Sequence, residues 1–242
     1  SVNNQSYKNF TLALCLNGTN LNKSELKKIK VKYFLLKTNL DWRSARVKTL
    51  KKILKLESKY IIFADSDDIM SKSRVKTSLK KIKHYNCDFI TNNLYLFGEE
   101  YKKKKIYLSY KKDFRIQLKN INDQNFVGCS NTTLKSKSLL NIINDINIKL
   151  IGFDWCIAKL LILNNFKGYY IRNCLTFYRQ YNQNNSRILN NSLRQKKFDL
   201  REKINHYQYF SKFGINYEKK IKKIKTILND ESLLKKIKKK KL

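Results

Sequence analysis

Three carboxylates within four positions, Asp65-Ser66-Asp67-Asp68, follow directly on the apolar run Tyr60-Ile61-Ile62-Phe63-Ala64. Acids this close repel one another unless a cation or a proton neutralises them. Their oxygens are hard ligands that suit Mg2+ or Mn2+, ions that commonly bridge to substrate phosphates. The apolar run predicts a short strand buried on both faces, as in parallel sheets. Ligands of α/β folds sit outside the carboxyl ends of such strands, where these acids emerge. The residues themselves therefore read as a divalent-metal and phosphate site at a strand end.

Other readings compete for the same stretch. A solvated acidic turn capping the next helix is the plainest. An EF-hand loop needs an oxygen ligand at its fifth position, Gly at its sixth and Glu at its twelfth. Those places hold Ile69, Met70 and Lys76, so that reading fails. A phosphatase of the haloacid dehalogenase type also begins with an apolar strand and an Asp-x-Asp pair, and it stays open. Its further acidic motif and catalytic Lys find no convincing place in this chain. A second acid of interest, Asp154, opens an apolar helix-like run after Gly152. It could cap that helix or act as a proton acceptor.

Composition sets wider bounds. The 242 residues suffice for one large domain or a domain with an appendage. With 53 basic and 18 acidic residues, the net charge is +35, which draws polyanions such as nucleic acid, anionic lipid or acidic glycans. The dominance of Lys, Asn and Ile with no Pro is equally what an AT-rich coding sequence imposes on a drifting surface. No helix-turn-helix, zinc finger or ribonucleoprotein signature is present, so specific nucleic-acid recognition is not expected. The five cysteines show no Cys-x-x-Cys, and two histidines are too few for a metal cluster. No apolar run reaches the length of a membrane span, and Ser1 starts no signal peptide. The expectation is a cytoplasmic protein with reduced thiols, free to lie against the inner face of the cell membrane.

The elements that must position the acids follow from periodicity. Residues 1–10 read as a helix tail and a turn. Thr11–Leu16 predicts a buried strand, and Lys30–Leu36 contains a second. Trp42 to Leu56 carries a helical stripe leading into the Tyr60–Ala64 strand. Val75, Leu79 and Ile82 keep helical spacing after the acids. Asp88–Phe97 returns to strand character; Glu99-Glu100 and Lys102–Lys105 suggest an exposed hairpin tip before Ile106–Tyr110. Phe126–Thr133 reads as a small polar loop. Leu139, Ile142, Ile143 and Ile146 mark an amphipathic helix, residues 152–163 an apolar one, and Tyr169–Tyr178 another strand. The alternation argues for an α/β fold. From Lys219 onward, Lys residues flank Ile221, Ile224, Leu228, Leu233, Leu234 and Ile237. Such a helix can lie on an anionic bilayer, pack by one thin stripe, or fray. The chain opens on Ser with no strand ahead of Thr11, as a fragment would.

Together these segments resemble the family 2 glycosyltransferases of the GT-A fold. Gln5-Ser6-Tyr7-Lys8-Asn9-Phe10 is similar to the turn before that family's second strand. Leu16-Asn17-Gly18-Thr19-Asn20 stands where the family has an acidic Gly-Ser loop. Arg46 (or Arg43), Tyr60–Ala64 and Asp65-Ser66-Asp67-Asp68 resemble its core. Gly152-Phe153-Asp154-Trp155 resembles its later Glu-Asp-Trp segment, and Tyr178-Arg179-Gln180-Tyr181 with Asn184 resembles its ending. The match covers residues 1–187 as the transferase domain, leaving 188–242 as a Lys-rich helical extension.

The resemblance implies a Rossmann-like three-layer fold with a mixed, mostly parallel central sheet, apparently lacking its first strand. It implies a nucleotide-diphosphate sugar donor held by Asn17, Arg46, Asp65, Asp67 and Arg179, with Mg2+ or Mn2+ on Asp68 and Asp67. Asp154 would be the general base of an inverting transfer to a glycan or lipid-linked acceptor, as in bacterial cell-surface polysaccharide synthesis. Gly128, Ser130 and Trp155 would stand on the acceptor side. Two positions depart from the family pattern: Asn17 replaces the acid that contacts the base, and Tyr181 replaces the usual His.

Overall fold

The computed structural model describes residues 1–99, 101–181 and 192–237, and of residues 101–104 the backbone alone. After a 3-10 turn at Val2–Asn4, β1 (Leu12–Asn17) leads through the short α1 (Lys23–Lys27) to β2 (Tyr33–Thr38), which pairs with β1 in parallel. Asp41 caps α2 (Trp42–Leu54), its carboxylate accepting from the N–H groups of Arg43 and Ser44. Next come β3 (Tyr60–Ile62), β4 (Ile69–Met70), α3 (Arg74–His84), β5 (Phe89–Gly98), β6 (Tyr101–Ile106), β7 (Phe114–Ile116) and α4 (Leu118–Ile121). They are followed by β8 (Thr132–Lys135), α5 (Ser136–Ile142), α6 (Phe153–Leu163) and β9 (Gly168–Gln180). The described chain closes with α7 (Leu193–Ser211), α8 (Glu218–Asn229) and α9 (Glu231–Lys236).

The larger sheet has the order β3-β8-β5-β9-β4, with β6 added to β5 and β7 to β9. Its spine is the long parallel ladder of β5 with β9, Phe89 facing Gly168 and Gly98 facing Gln180. Successive residues of a strand point to opposite faces, so Phe89 and Ile90 enter different cores. Phe89 joins α5, α6, α7 and α8 in one cluster, while Ile90 meets Ile82 of α3 on the other side. That division makes three layers, helix, sheet, helix. Helix α6 is apolar nearly all round and is buried from Trp155 to Leu161, as such a helix must be.

Several expectations shift. The α/β class holds, and the sheet is mixed: the two longest ladders, β1 with β2 and β5 with β9, are parallel, and the shorter ones are antiparallel. The strand before the acids is not buried on both faces. Tyr60–Ile62 ends the larger sheet, and of its residues only Ile61 is fully buried, because a strand with one neighbour is covered less completely. The doubly buried strand is β5. Lys102–Lys105 belong to strand β6 rather than a hairpin tip, and the loop expected at 126–133 already becomes β8 at Thr132. Among the described residues, β1 and β3 each pair along one edge, and both line a cavity of 1730 Å3 closed by residues of α2 and α3.

The C-terminal helices join the main core. Ile204, Tyr207 and Phe210 of α7, Tyr217 and Ile224 pack in the same cluster as β5 and α6. Lys219, Lys222, Lys223 and Lys225 face solvent, which fits one buried stripe on an otherwise charged surface. Glu100, Asn184, the expected boundary at residues 187 and 188, and Lys238–Lys241 lie outside the described residues. No helix among those described is long and apolar enough to cross a membrane.

Candidate active site

Where β3 ends, Phe63 still donates its N–H to Thr132 of β8 (3.1 Å), and the chain then leaves the sheet. Asp65 is gripped from both sides. Arg46 of α2 donates through Nη2 to one carboxylate oxygen (2.5 Å), and the Ser130 hydroxyl donates to the other (2.8 Å). The Asp68 N–H donates back to the Asp65 carbonyl (3.3 Å), closing a turn. The end of β9 clamps this turn: the Arg179 N–H donates to Asp68 Oδ1 (2.8 Å) and its Nε to the Asp67 carbonyl (3.0 Å). The Tyr181 hydroxyl donates to Asp67 Oδ2 (3.2 Å), so the residue standing in place of a His still touches the acidic turn.

Asp68 Oδ2 is buried and has no donor among the described residues, the nearby Ser130 hydroxyl giving its proton to Asp65. Burial pushes this carboxyl up to about 7; the Ser130 hydroxyl and the Arg179 N–H oppose the rise, and the neighbouring Asp67 and Asp65 add to it. An orphaned, partly neutralised oxygen beside two further acids is what a cation-binding position offers. Among the described residues no three acid, His or Cys side chains converge into a complete metal cage. Mg2+ and Mn2+ do not require one, since such ions keep waters and take the rest of their shell from substrate phosphates. The donor set at Asp67 and Asp68 fits an ion of that kind.

Asp154 occupies the first turn of α6, behind the N-cap residue Gly152. Its Oδ1 accepts from the Trp155 N–H (2.7 Å) and from Asn125 Nδ2 (2.9 Å). Burial raises its pKa, against the Trp155 N–H, Arg46 and Asn125, while Asp65 reinforces the rise. Arg46 is the electrostatic link between the two acidic centres. Burial works against its charge, and Cys129, Asp65 and Asp154 more than reverse that. A side chain at Gly128 would bring its Cβ to 3.2 Å from Asn131 Oδ1 and 3.6 Å from Asp154 Oδ2, so the missing Cβ keeps this approach clear.

The structure thus brings Arg46, Asp65, Asp67, Asp68, Ser130 and Arg179 together, with Gly128 and Asp154 beside them. Arg43, the alternative to Arg46, pairs instead with Asp41 (3.4 Å). Asn17, at the end of β1, spans Leu40 through both ends of its amide and accepts from the Thr38 hydroxyl (2.7 Å). Trp155 is buried, its indole N–H donating to the Ile121 carbonyl (2.5 Å). Sequence reasoning missed Asn125 and Arg74. The latter is wholly buried, donates to the Phe63 carbonyl (2.6 Å), and leaves Nε and Nη1 without partners among the described residues. Burial lowers its pKa to about 10, against the pull of Asp68 and Asp65, so it stays cationic near the turn. Neither residue sits in a patterned stretch that would mark it.

No curated protein sequence matches the chain. The crystal structure of S. aureus TarS 1-349 in complex with UDP-GlcNAc aligns with a TM-score of 0.59 at 13% identity, over 83% of this chain and 60% of that one. The UDP complex of the same protein aligns at 0.57 and 15% identity, over 94% of this chain and 63% of that one. The likeness is one of fold, and this chain spans less than two thirds of those structures. The profile of glycosyl transferase family 2 matches residues 1–141, more than half of the sequence. The chain therefore belongs to glycosyl transferase family 2.

Proposed function

We propose that the chain is a metal-dependent, inverting glycosyltransferase acting on a hydroxyl of a glycan or lipid-linked acceptor. The observation that carries this reading is the pairing of two unlike acidic centres across Arg46. One is the turn whose Asp68 Oδ2 has no partner among the described residues; the other is Asp154, whose raised pKa suits a proton acceptor. Family membership sets aside the phosphatase and the non-enzymatic polyanion-binding readings. Because the aligned TarS structures hold UDP-GlcNAc and UDP, a uridine-diphosphate sugar is the first donor to test.

In this account Asp67 and Asp68 hold Mg2+ or Mn2+, which when bound offsets charge on the departing diphosphate. Arg46 and Ser130 keep Asp65 fixed, so the turn does not have to reorganise as charge develops. Arg179 locks the turn to β9 through its backbone N–H and Nε. Asp154, kept basic enough by burial, accepts the acceptor's hydroxyl proton as its oxygen attacks the anomeric carbon. One base facing the leaving group gives inversion, by the geometry of inverting hydrolysis with a sugar alcohol in place of water. The exposed lysines of α8 suit peripheral contact with anionic lipid at the inner face of the cell membrane.

Asp154→Asn tests the assignment of the base. It should bind UDP with Mn2+ as the parent does and lose about 100-fold or more in turnover. Lost UDP affinity with unchanged turnover would place Asp154 on the nucleotide side instead.

A further inference from the structure

Lys159 is a buried titratable group that the mechanism above does not use. It stands one helical turn beyond Trp155 on α6 and is wholly buried. Its ammonium lies 4.7 Å from the centre of the Trp155 ring, 5.0 Å from those of Phe210 and Tyr217, and 5.4 Å from that of Tyr207. It donates to the Asn122 carbonyl (3.2 Å) and to the Tyr217 hydroxyl (3.1 Å). Burial drags its pKa down to about 7; Asp123 opposes this, and Lys220 and Lys203 add to it. A buried ammonium without a bonded carboxylate is an expensive way to fill an aromatic box, because a methionine of similar length would fill it without desolvating a charge.

Its hydrogen bonds show what the charge supports. The end of α4 and the loop that follows it are held from outside at several residues. Ile121 accepts from the Trp155 indole and Asn122 from Lys159. Asp123 accepts from the Tyr207 hydroxyl (2.7 Å) and from Lys220 (2.5 Å). Asn125 then donates to Asp154. Lys159 and Asp154 share helix α6, while Asn122 and Asn125 share the loop, so the two hydrogen bonds close a ring. The Tyr207, Phe210 and Tyr217 sides of the box come from the C-terminal helices and the turn between them.

We propose that Lys159 is a positioning residue for Asp154. By tying Asn122 to α6 it fixes the loop that delivers Asn125 to the Asp154 carboxylate, and the box makes the C-terminal helices part of that support. The proposal rests on the reading of Asp154 as the general base, but its first readout does not.

The test is Lys159→Met in the full chain, followed by three measurements. The Asp154 carboxyl is titrated by 13C NMR, assigned with Asp154→Asn; kcat and KM are measured for UDP-GlcNAc with water as acceptor; and thermal unfolding is recorded at pH 6. With Asn125 loosened, a donor that favours the carboxylate is lost, so the Asp154 midpoint should rise by about one pH unit. Turnover should fall by about tenfold or more with donor KM unchanged, and the unfolding temperature should hold or rise. A lower unfolding temperature with the Asp154 midpoint and kcat unmoved would make Lys159 merely structural and overturn the proposal. If the variant does not fold, Tyr217→Phe, which removes both an acceptor for Lys159 and the hydroxyl that donates to Asn122 Oδ1 while keeping the box packed, is read by the same criteria. If the parent itself does not turn over UDP-GlcNAc, that failure belongs to the donor or the transferase reading, and the Asp154 midpoint alone decides the positioning claim.

Discussion

Asp68→Asn should make the metal-free protein more resistant to unfolding at pH 8 while removing its coupling to metal. The substitution keeps an oxygen that can accept the Arg179 N–H and deletes the ionisation. In the folded protein burial lifts the Asp68 carboxyl from 3.8 to about 7. The folded state therefore holds this proton more tightly than the unfolded chain does. The associated stability is fully present below pH 3.8 and is lost as the pH climbs to about 7. At about 1.36 kcal/mol for each pH unit the loss is about 4 kcal/mol, and partial solvent screening reduces it to roughly 3 kcal/mol. For a chain of this length that corresponds to roughly 6–12 °C in melting temperature. The assay is thermal unfolding of parent and variant in chelator between pH 4 and pH 8. The variant's advantage over the parent should grow by about that amount across the range. Adding Mn2+ and UDP at pH 8 should then raise the parent's melting temperature and leave the variant's unchanged. A variant whose advantage does not grow with pH would refute the claim that Asp68 sits in a site built for a cation.

Two further predictions concern the scaffold behind the site. A Cβ on Gly168 would lie 2.1 Å from Cζ of the buried Phe89 ring, so Gly168→Ala should destabilise by about 1–3 kcal/mol in a denaturant titration. An effect below about 0.5 kcal/mol would mean that the pairing of β5 with β9 is looser than described. His206 is buried against Trp155, with 3.8 Å between ring centres, and neither ring nitrogen has a hydrogen-bond partner among the described residues. Burial, with Lys159 and Lys203 nearby, lowers its pKa to about 2, so the ring is neutral throughout the working range. His206→Phe should raise stability by about 1 kcal/mol and leave turnover unchanged. A loss of stability would show that those nitrogens have water partners.

The place of the acidic turn could be read from residue type and spacing, because an apolar run that empties into three acids must leave the sheet there. The same holds for α6, whose unbroken apolar stretch from Trp155 could only be buried. Strand β3 was harder to read. Its five apolar residues look like a central strand, yet the strand stops at Ile62 at the end of the sheet, where the chain must turn away to present Asp65. The supports of the site left no trace in the pattern. Asn125 reaches Asp154 across 29 positions, and Arg74 looks like one more base in a basic stretch. Ser130 was assigned to the acceptor side, whereas its hydroxyl is bonded to Asp65. The C-terminal helices did carry a usable signal. Tyr207 and Phe210, three apart on α7, form a stripe of rings, but lysines dominate the surrounding composition and hide it.

The central claim is that the acidic turn grips an ion and, through it, the diphosphate of a nucleotide donor. Its most direct test is a thermal-shift panel of nucleoside diphosphates and their sugars, each with and without Mn2+. The account predicts a rise in melting temperature that requires nucleotide and metal together and vanishes in Asp68→Asn. A nucleotide shift of equal size in chelator, or no shift with any nucleotide when Mn2+ is present, would contradict it.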